Sequence, residues 1–354
     1  MIMKILVINP GATSTKIAVY EDEKQVFKTG IDHSVEELKP FNRIVDQFEF
    51  RKDLILKVLK ENGYEMSEFD AVSARGGLLK HIPSGTYEVN DAMIRDIENP
   101  PYGEHAANLG AIIAKTLADS VGVKAYITDP VCVDEMTDIA RISGFKGMER
   151  QSFFHALNHK GMARKAAAQL GKKYEELNLI VVHMGGGVSV AAHEKGRVID
   201  VFNVKDEGSF SLDRGGSLPT NALINLCYSG KDKAEVKKLL GTQAGVFSYL
   251  GTKDFVEICD KALVQHDEEF LLIYKALAYQ HAKDIGAMAA VLHMDVDAIV
   301  LTGGMAHASE FCDEIKSYCG KIAPFIILPG EAEMDSLALG ALRVLNGEPA
   351  GHYE

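Results

Sequence analysis

The chain has 354 residues, 47% of them hydrophobic and 25% charged, a balance that argues against long disorder and, at this length, for two domains rather than one. A net charge of −12 argues against nonspecific binding to nucleic acid or an anionic membrane, both of which need a basic face. Five scattered cysteines without a CxxC pair argue against a disulfide framework or zinc site, no run approaches the roughly 20 apolar residues that span a bilayer, and the N-terminal MIMKILVI is too short for a signal peptide, so a cytoplasmic protein is expected.

The first element is a strand that breaks at Pro10-Gly11, passes through Ala12, Thr13, Ser14 and Thr15, and resumes as a strand after Lys16. Small residues let backbone N–H groups approach an anion closely, which suggests a phosphate grip, although an ordinary Pro-Gly hairpin turn explains the stretch equally well. Residues 51–62 predict a helix with Leu54, Val58 and Leu59 on one face. A short strand at 71–74 runs into Arg75-Gly76-Gly77, a helix follows over 104–122, and the strand 124–129 ends at Asp129 before Pro130. A further helix is expected over 155–171.

The second half opens with an echo of the first. LIVVHMGGGVSVAAH, residues 179–193, repeats the strand, glycine-bearing turn and strand of ILVINPGATSTKIAV, residues 5–19, and Lys195-Gly196 then supplies a hairpin turn. Three successive glycines, Gly185, Gly186 and Gly187, weaken a hairpin and call for a reason such as close ligand approach. A strand over 297–304 ends in Gly303-Gly304, a strand-to-helix junction suited to a nucleotide, and a last helix spans 335–347. Neither a Walker pattern nor a Rossmann GxGxxG with a downstream acid is present. These elements predict two α/β domains of similar design: 1–157, completed by the C-terminal helix 335–354, and 158–334.

Charged residues gather at element ends. Arg75 and Arg214 each stand beside a Gly-Gly pair, His105 and His155 each open a helix, and Asp129 closes a strand. In an acidic protein the two arginines read as anion ligands, and Asp129 as a carboxylate able to hold Mg²⁺ through water.

In order along the chain, NPGATSTK, SARGGLL, NPPYGEHAANLGA, ITDPV, RQSFFHALNHK, VVHMGGGVS, DRGGSLPT, LTGGMAHA and PGEAEM resemble the acetate and butyrate kinases of the acetokinase family. The resemblance implies two duplicated βββαβαβα domains of the ribonuclease H-like, actin-like (ASKHA) class, with ATP in an interdomain cleft. It implies reversible transfer of the ATP γ-phosphoryl group to a short-chain carboxylate, giving ADP and an acyl phosphate, with Mg²⁺. Asn9, Ser14 and Lys16 would serve the first phosphate turn, and His183, Gly185, Gly186, Gly187, Gly303 and Gly304 the nucleotide contacts of the second domain. Asp129, His155 and Arg214 would be catalytic, His105 and Phe154 would line the acyl pocket or its approach, and Arg75 would hold the carboxylate. The metal would be served by Asp129, Asn9 and a late acid, Glu331 or Glu333, which align equally well. Ala12, Arg75-Gly76-Gly77 and the triple glycine depart from the acetate pattern and follow the butyrate type. Acetate, propionate or branched-chain substrates, or a non-kinase ATPase, are the alternatives, and a homodimer or larger homo-oligomer is expected.

Overall fold

The computed structural model describes residues 2–101 and 103–354. The chain forms two compact units, one made of residues 1–134 and 332–354, the other of 135–331.

The first unit is built on a six-stranded mixed sheet. β1 (Lys4–Pro10), β2 (Ser14–Glu21) and β3 (Lys24–Asp32) form an antiparallel meander. β4 (Ala71–Ala74) and β6 (Lys124–Thr128) extend it in parallel from β1, and the short β5 (Thr86–Glu88) closes the edge, giving the order β3-β2-β1-β4-β6-β5. Strands covered on both faces read as near-continuous apolar runs, which is why ILVI in β1 is wholly buried. Helix Asn108–Val121 packs on β4 and β6, and its Gly110 lets it approach so closely that a Cβ there would lie 2.3 Å from the Arg75 carbonyl oxygen. Helix Glu333–Leu345 also packs on β1, β4 and β6, with Gly340 against the Thr128 side chain.

The second unit repeats this plan. β7 (Asn178–Met184), β8 (Val188–Glu194) and β9 (Arg197–Phe202) form the meander, and β10 (Ala298–Gly303) and β11 (Phe325–Pro329) extend it in parallel from β7. The order β9-β8-β7-β10-β11 matches β3-β2-β1-β4-β6, and each meander has a register shift late in its second strand, at Val19/Tyr20 and at Ala192/His193. The sequence echo is thus a topological duplication. Lys195 and Gly196 both have positive φ, 46° and 86°, as a two-residue hairpin turn of this twist requires. Helix Glu268–Val291 packs on β7, β8 and β9 and carries the apolar core of this unit.

The division expected at 157 falls inside a helix, Ala156–Gln169, that belongs whole to the second unit. The reason lies in charges that periodicity does not reveal. Glu135 pairs at 2.6 Å with the fully buried Lys160, and Arg150 bridges Asp200 and Glu207, so residues 135–155 are tied to the second unit. Likewise the return to the first unit comes at Ala332, and Glu333 and Met334 belong with the last helix. Among the described residues no helix is long and apolar enough to cross a membrane.

Candidate active site

In the first unit the turn between β1 and β2 is held from behind by Arg51, a residue that sequence reasoning passed over. Its guanidinium donates to the carbonyls of Gly11 at 2.8 Å, Ala12 at 3.1 Å and Ser14 at 3.2 Å, and to Thr15 Oγ1 at 3.1 Å. The side chain is 1% exposed, no carboxylate among the described residues pairs with it, and burial pulls its pKa down to about 10. A buried cation that meets only neutral oxygens must be fully hydrogen-bonded to be tolerated. By engaging the carbonyls it fixes the turn and leaves positive potential behind it. His33 completes the support through Thr15 Oγ1 at 2.9 Å; burial, then the Arg51 charge, keeps its imidazole below the usual range. Lys16 alternates to an exposed position on β2, next to this structure but outside its hydrogen bonds.

On the same unit, Glu333 gathers Asn9 and Arg75. Asn9 Nδ2 donates to Glu333 Oε2 at 2.7 Å, and Arg75 Nη1 lies 3.1 Å from Oε1 and 3.3 Å from Oε2. The two late acids therefore part company: Glu333 joins this cluster, whereas Glu331 belongs to the second unit, with Oε1 3.7 Å from His183 Nε2. Asp129 is 1% exposed, has φ +41°, and accepts at Oδ1 from Ser84 Oγ at 2.6 Å and Gly85 N at 2.9 Å. A non-glycine residue at positive φ, clamped by its own loop, marks a position where side-chain direction outweighs backbone strain. His105 accepts from the Ala107 N–H at Nδ1, so its Nε2 carries the proton; desolvation, then the Arg75 charge, holds its pKa below the usual range although the residue has an exposed surface.

In the second unit the triple-glycine turn between β7 and β8 meets a helix and a loop. His155 caps helix Ala156–Gln169, stacks on His183 with ring centroids 3.8 Å apart, and shares a 2.8 Å hydrogen bond between Nδ1 and Ser189 Oγ. His183 is held in turn by Asn158 Nδ2 at 2.8 Å, and Asn158 reaches Thr302 Oγ1. Gly187 is the glycine with a stated need: a Cβ there would lie 2.9 Å from Arg214 Nη1 and 2.6 Å from Val204. Ser211 ties the two segments together, donating from Oγ to the Gly186 carbonyl at 2.5 Å and accepting the Arg214 N–H at 3.1 Å. Gly303, with φ +88°, lets β10 pass Met184, where a Cβ would come within 2.4 Å of a carbonyl; Gly304 meets no such constraint. Phe154 is buried edge-on against His159, 5.2 Å between centroids, so it supports the histidines from inside this unit.

The second unit thus brings together His155, His183, Gly185–Gly187 and Arg214, and the first brings together Asn9, Arg75 and Glu333, with Ser14 on the turn that Arg51 supports. Ser189, Asn158, Ser211 and Arg51 are the members that sequence reasoning missed. Spacing could have exposed Ser189, because it is the second residue after the glycines in β8, and His159, because it lies one helical turn from His155.

Among the described residues no three His, Cys, Asp or Glu side chains converge into a metal-binding group. Mg²⁺ prefers one or two carboxylates completed by water and substrate phosphates, an oxygen-only set. The donor set around Asp129, and around Glu333 with Asn9, has this oxygen-rich character.

The sequence model of the acetokinase family matches residues 146–323, half of the chain. Among solved structures, the acetate kinase of Porphyromonas gingivalis is 21% identical, with a TM-score of 0.80 over 97% of this chain and 100% of that one. A propionate kinase from Francisella tularensis subsp. tularensis SCHU S4 is 18% identical, with a TM-score of 0.73 over 96% and 98%, and the acetate kinase of Entamoeba histolytica is 14% identical, with 0.71 over 89% and 85%. At these identities the structures share the fold, while the stretch matched by the family model contains His155, His183, the triple glycine and Arg214. The chain belongs to the acetokinase family.

Proposed function

We propose that the protein transfers the γ-phosphoryl group of ATP reversibly to a short-chain carboxylate, with butyrate the preferred acceptor. The observation that carries the reading is the convergence, on a glycine turn, of a hydrogen-bonded histidine and an arginine packed against Gly187. Such a turn admits phosphate oxygens to backbone N–H groups, and the two side chains supply donors and charge where a phosphoryl group is transferred. Arg75-Gly76-Gly77 and Gly185-Gly186-Gly187, which follow the butyrate type, support the four-carbon acceptor.

A carboxylate with a pKa near the ordinary side-chain value, about 4, is ionised at neutral pH and needs no general base. The residues must instead align it with the phosphoryl group and offset the spreading negative charge. His155, donating from Nε2, and Arg214 would act on the phosphoryl oxygens. Arg75 would attract the acceptor carboxylate, released in part from Glu333, with His105 toward the acyl chain and Phe154 backing the histidines from within. Ser14 and Asn9 would contact phosphate from the first turn. Mg²⁺, bound with the nucleotide and held by Asp129 with Glu333 or Asn9 in its shell, would neutralise phosphate charge.

A hydroxamate assay with MgATP against acetate, propionate, butyrate, isobutyrate and valerate tests this. The expected result is a maximum of kcat/KM at four carbons. One methylene is worth about 1 to 3 kcal/mol in an apolar pocket, enough to resolve neighbouring chain lengths. A maximum at two or three carbons would move the acceptor, and inactivity with every acid would overturn the reaction.

A further inference from the structure

His155 does not end its hydrogen bonding at Ser189. Ser189 Oγ is also 2.9 Å from His159 Nε2, His159 Nδ1 is 3.3 Å from His193 Nε2, and His193 Nδ1 is 2.7 Å from the Tyr174 hydroxyl. The result is an unbroken line from Tyr174 to His155, and four of its five groups are buried: Tyr174 is 3% exposed and Ser189, His159 and His193 are 0% exposed. Its origin is a match of periods. His155 and His159 sit one turn apart at the start of helix Ala156–Gln169, while Ser189 and His193 share one face of β8, so the helix lays two imidazoles beside two strand positions. Side chains of such polarity on an inward face cost stability unless each is satisfied.

We propose that Tyr174, His193, His159 and Ser189 form a positioning chain that sets the tautomer and ring orientation of His155, holding it as an Nε2–H donor toward the transferred phosphoryl group. The inference rests on the carboxylate-kinase reading for its last clause only. Its direction follows link by link. The 2.7 Å separation suits a phenol O–H···N bond, and the direction is set by charge: Lys160 and Arg164 lie 5.5 and 5.6 Å from the centre of the Tyr174 ring, where positive charge strengthens the phenol as a donor. With Nδ1 accepting, neutral His193 carries its proton on Nε2 and gives it toward His159 Nδ1. The two ring planes are inclined by 8° and their centroids lie 5.6 Å apart, too far for face-to-face stacking and compatible with an edge-to-edge N–H···N contact at 3.3 Å. His159 then carries its proton on Nε2 and donates to Ser189, whose single hydroxyl proton passes to His155 Nδ1. His155 is left with N–H at Nε2. The logic needs both inner imidazoles neutral, and complete burial holds each well below its ordinary value, reinforced by His183 at His159 and by His159 at His193.

Two-bond ¹H–¹⁵N correlation spectra of histidine-labelled protein, with His155 assigned from the spectrum of His155→Gln, read its tautomer directly. The wild-type protein should show His155 as Nε2–H. Tyr174→Phe removes one oxygen while keeping the ring, and should shift His155 toward a mixture of tautomers and lower kcat about tenfold while both KM values stay within about twofold. Ser189→Ala should do the same, and Ser189→Thr, which restores a hydroxyl, should recover the tautomer and the rate. An unchanged His155 signal in both Tyr174→Phe and Ser189→Ala, or a changed signal with kcat intact, overturns the proposal. The spectra decide the chain even if no carboxylate is phosphorylated, so failure of the reaction and failure of the chain are separate results.

Discussion

The two hairpins that open the two sheets share their topology, strand order and register shift, yet they are supported by opposite chemistry. Behind the turn at Gly11–Ser14 stands a permanent cation, Arg51, bonded to three backbone carbonyls. Behind the turn at Gly185–Gly187 stand His155, His183, His159 and Ser189, groups whose hydrogen bonds have a direction, with Arg214 packed against Gly187 beside them. One turn is built to hold fixed charge and the other to present a proton at a chosen atom. Duplication of a fold conserved the backbone problem, a glycine-bearing turn between two buried strands, and left each copy free to solve its electrostatics separately.

If that contrast is right, the heaviest losses of rate come from the second turn. His155→Ala and Arg214→Ala are each expected to lower kcat about 10²- to 10³-fold in the hydroxamate assay without lowering the melting temperature. A loss below about fivefold in both would move the chemistry elsewhere. The first turn should instead respond in stability. Arg51→Met leaves carbonyls without their donor and is expected to cost about 2 to 4 kcal/mol by urea unfolding, with Arg51→Lys costing less because one charged donor remains. Equal stability of Arg51→Met and wild type would show that the turn holds itself.

A middle-sized effect is expected where Glu333 holds Arg75. Arg75→Ala should raise the carboxylate KM about tenfold and leave the ATP KM nearly unchanged, and an unchanged carboxylate KM would remove Arg75 from the acceptor site. A last effect appears only as pH changes and concerns the loop that carries Arg214. Asp284 accepts the Ser209 N–H at 2.6 Å, and burial raises its pKa from 3.8 to about 6. The native state therefore binds this proton more tightly than the unfolded chain, so the carboxyl favours folding below about pH 4 and loses that contribution as pH rises to about 6. Asp284→Asn, which cannot ionise, should gain up to about 3 kcal/mol on wild type between pH 4 and pH 7 in parallel urea titrations. Parallel curves with no such gain would show that the carboxyl is solvated in the native protein.

The alternation of strands and helices was legible from residues alone, because buried parallel strands and amphipathic helices each leave their own period: 71–74, 124–128 and 298–303 appear as strands where the apolar runs placed them. The second glycine turn was legible too, since three glycines inside a strand pair have no local justification, whereas Pro10-Gly11 reads equally well as an ordinary hairpin turn. The boundary between units was not, because it depends on Glu135–Lys160 and on Arg150, pairs separated by 25 to 57 residues. Arg51 was illegible too. Inside RKDLILKVLKEN it looks like an ordinary polar helix position, and only the tertiary fold shows that its face of the helix covers the first turn. Buried polar partners are chosen by space, which periodicity does not encode.

The first unit is discontinuous in sequence, and this has a consequence for the order in which the protein is made. Strands β1, β4 and β6 leave the ribosome early, but the helix Glu333–Leu345 that covers them, and Tyr353, whose hydroxyl bonds Asp96 at 2.7 Å, are made only after the whole second unit. The second unit uses one uninterrupted stretch and has all its residues once Glu331 has emerged. Domains that fold during synthesis ordinarily finish from the N-terminus onward. Here the half that is made first is finished last, and the grouping of Asn9 and Arg75 around Glu333 is assembled only in that final step.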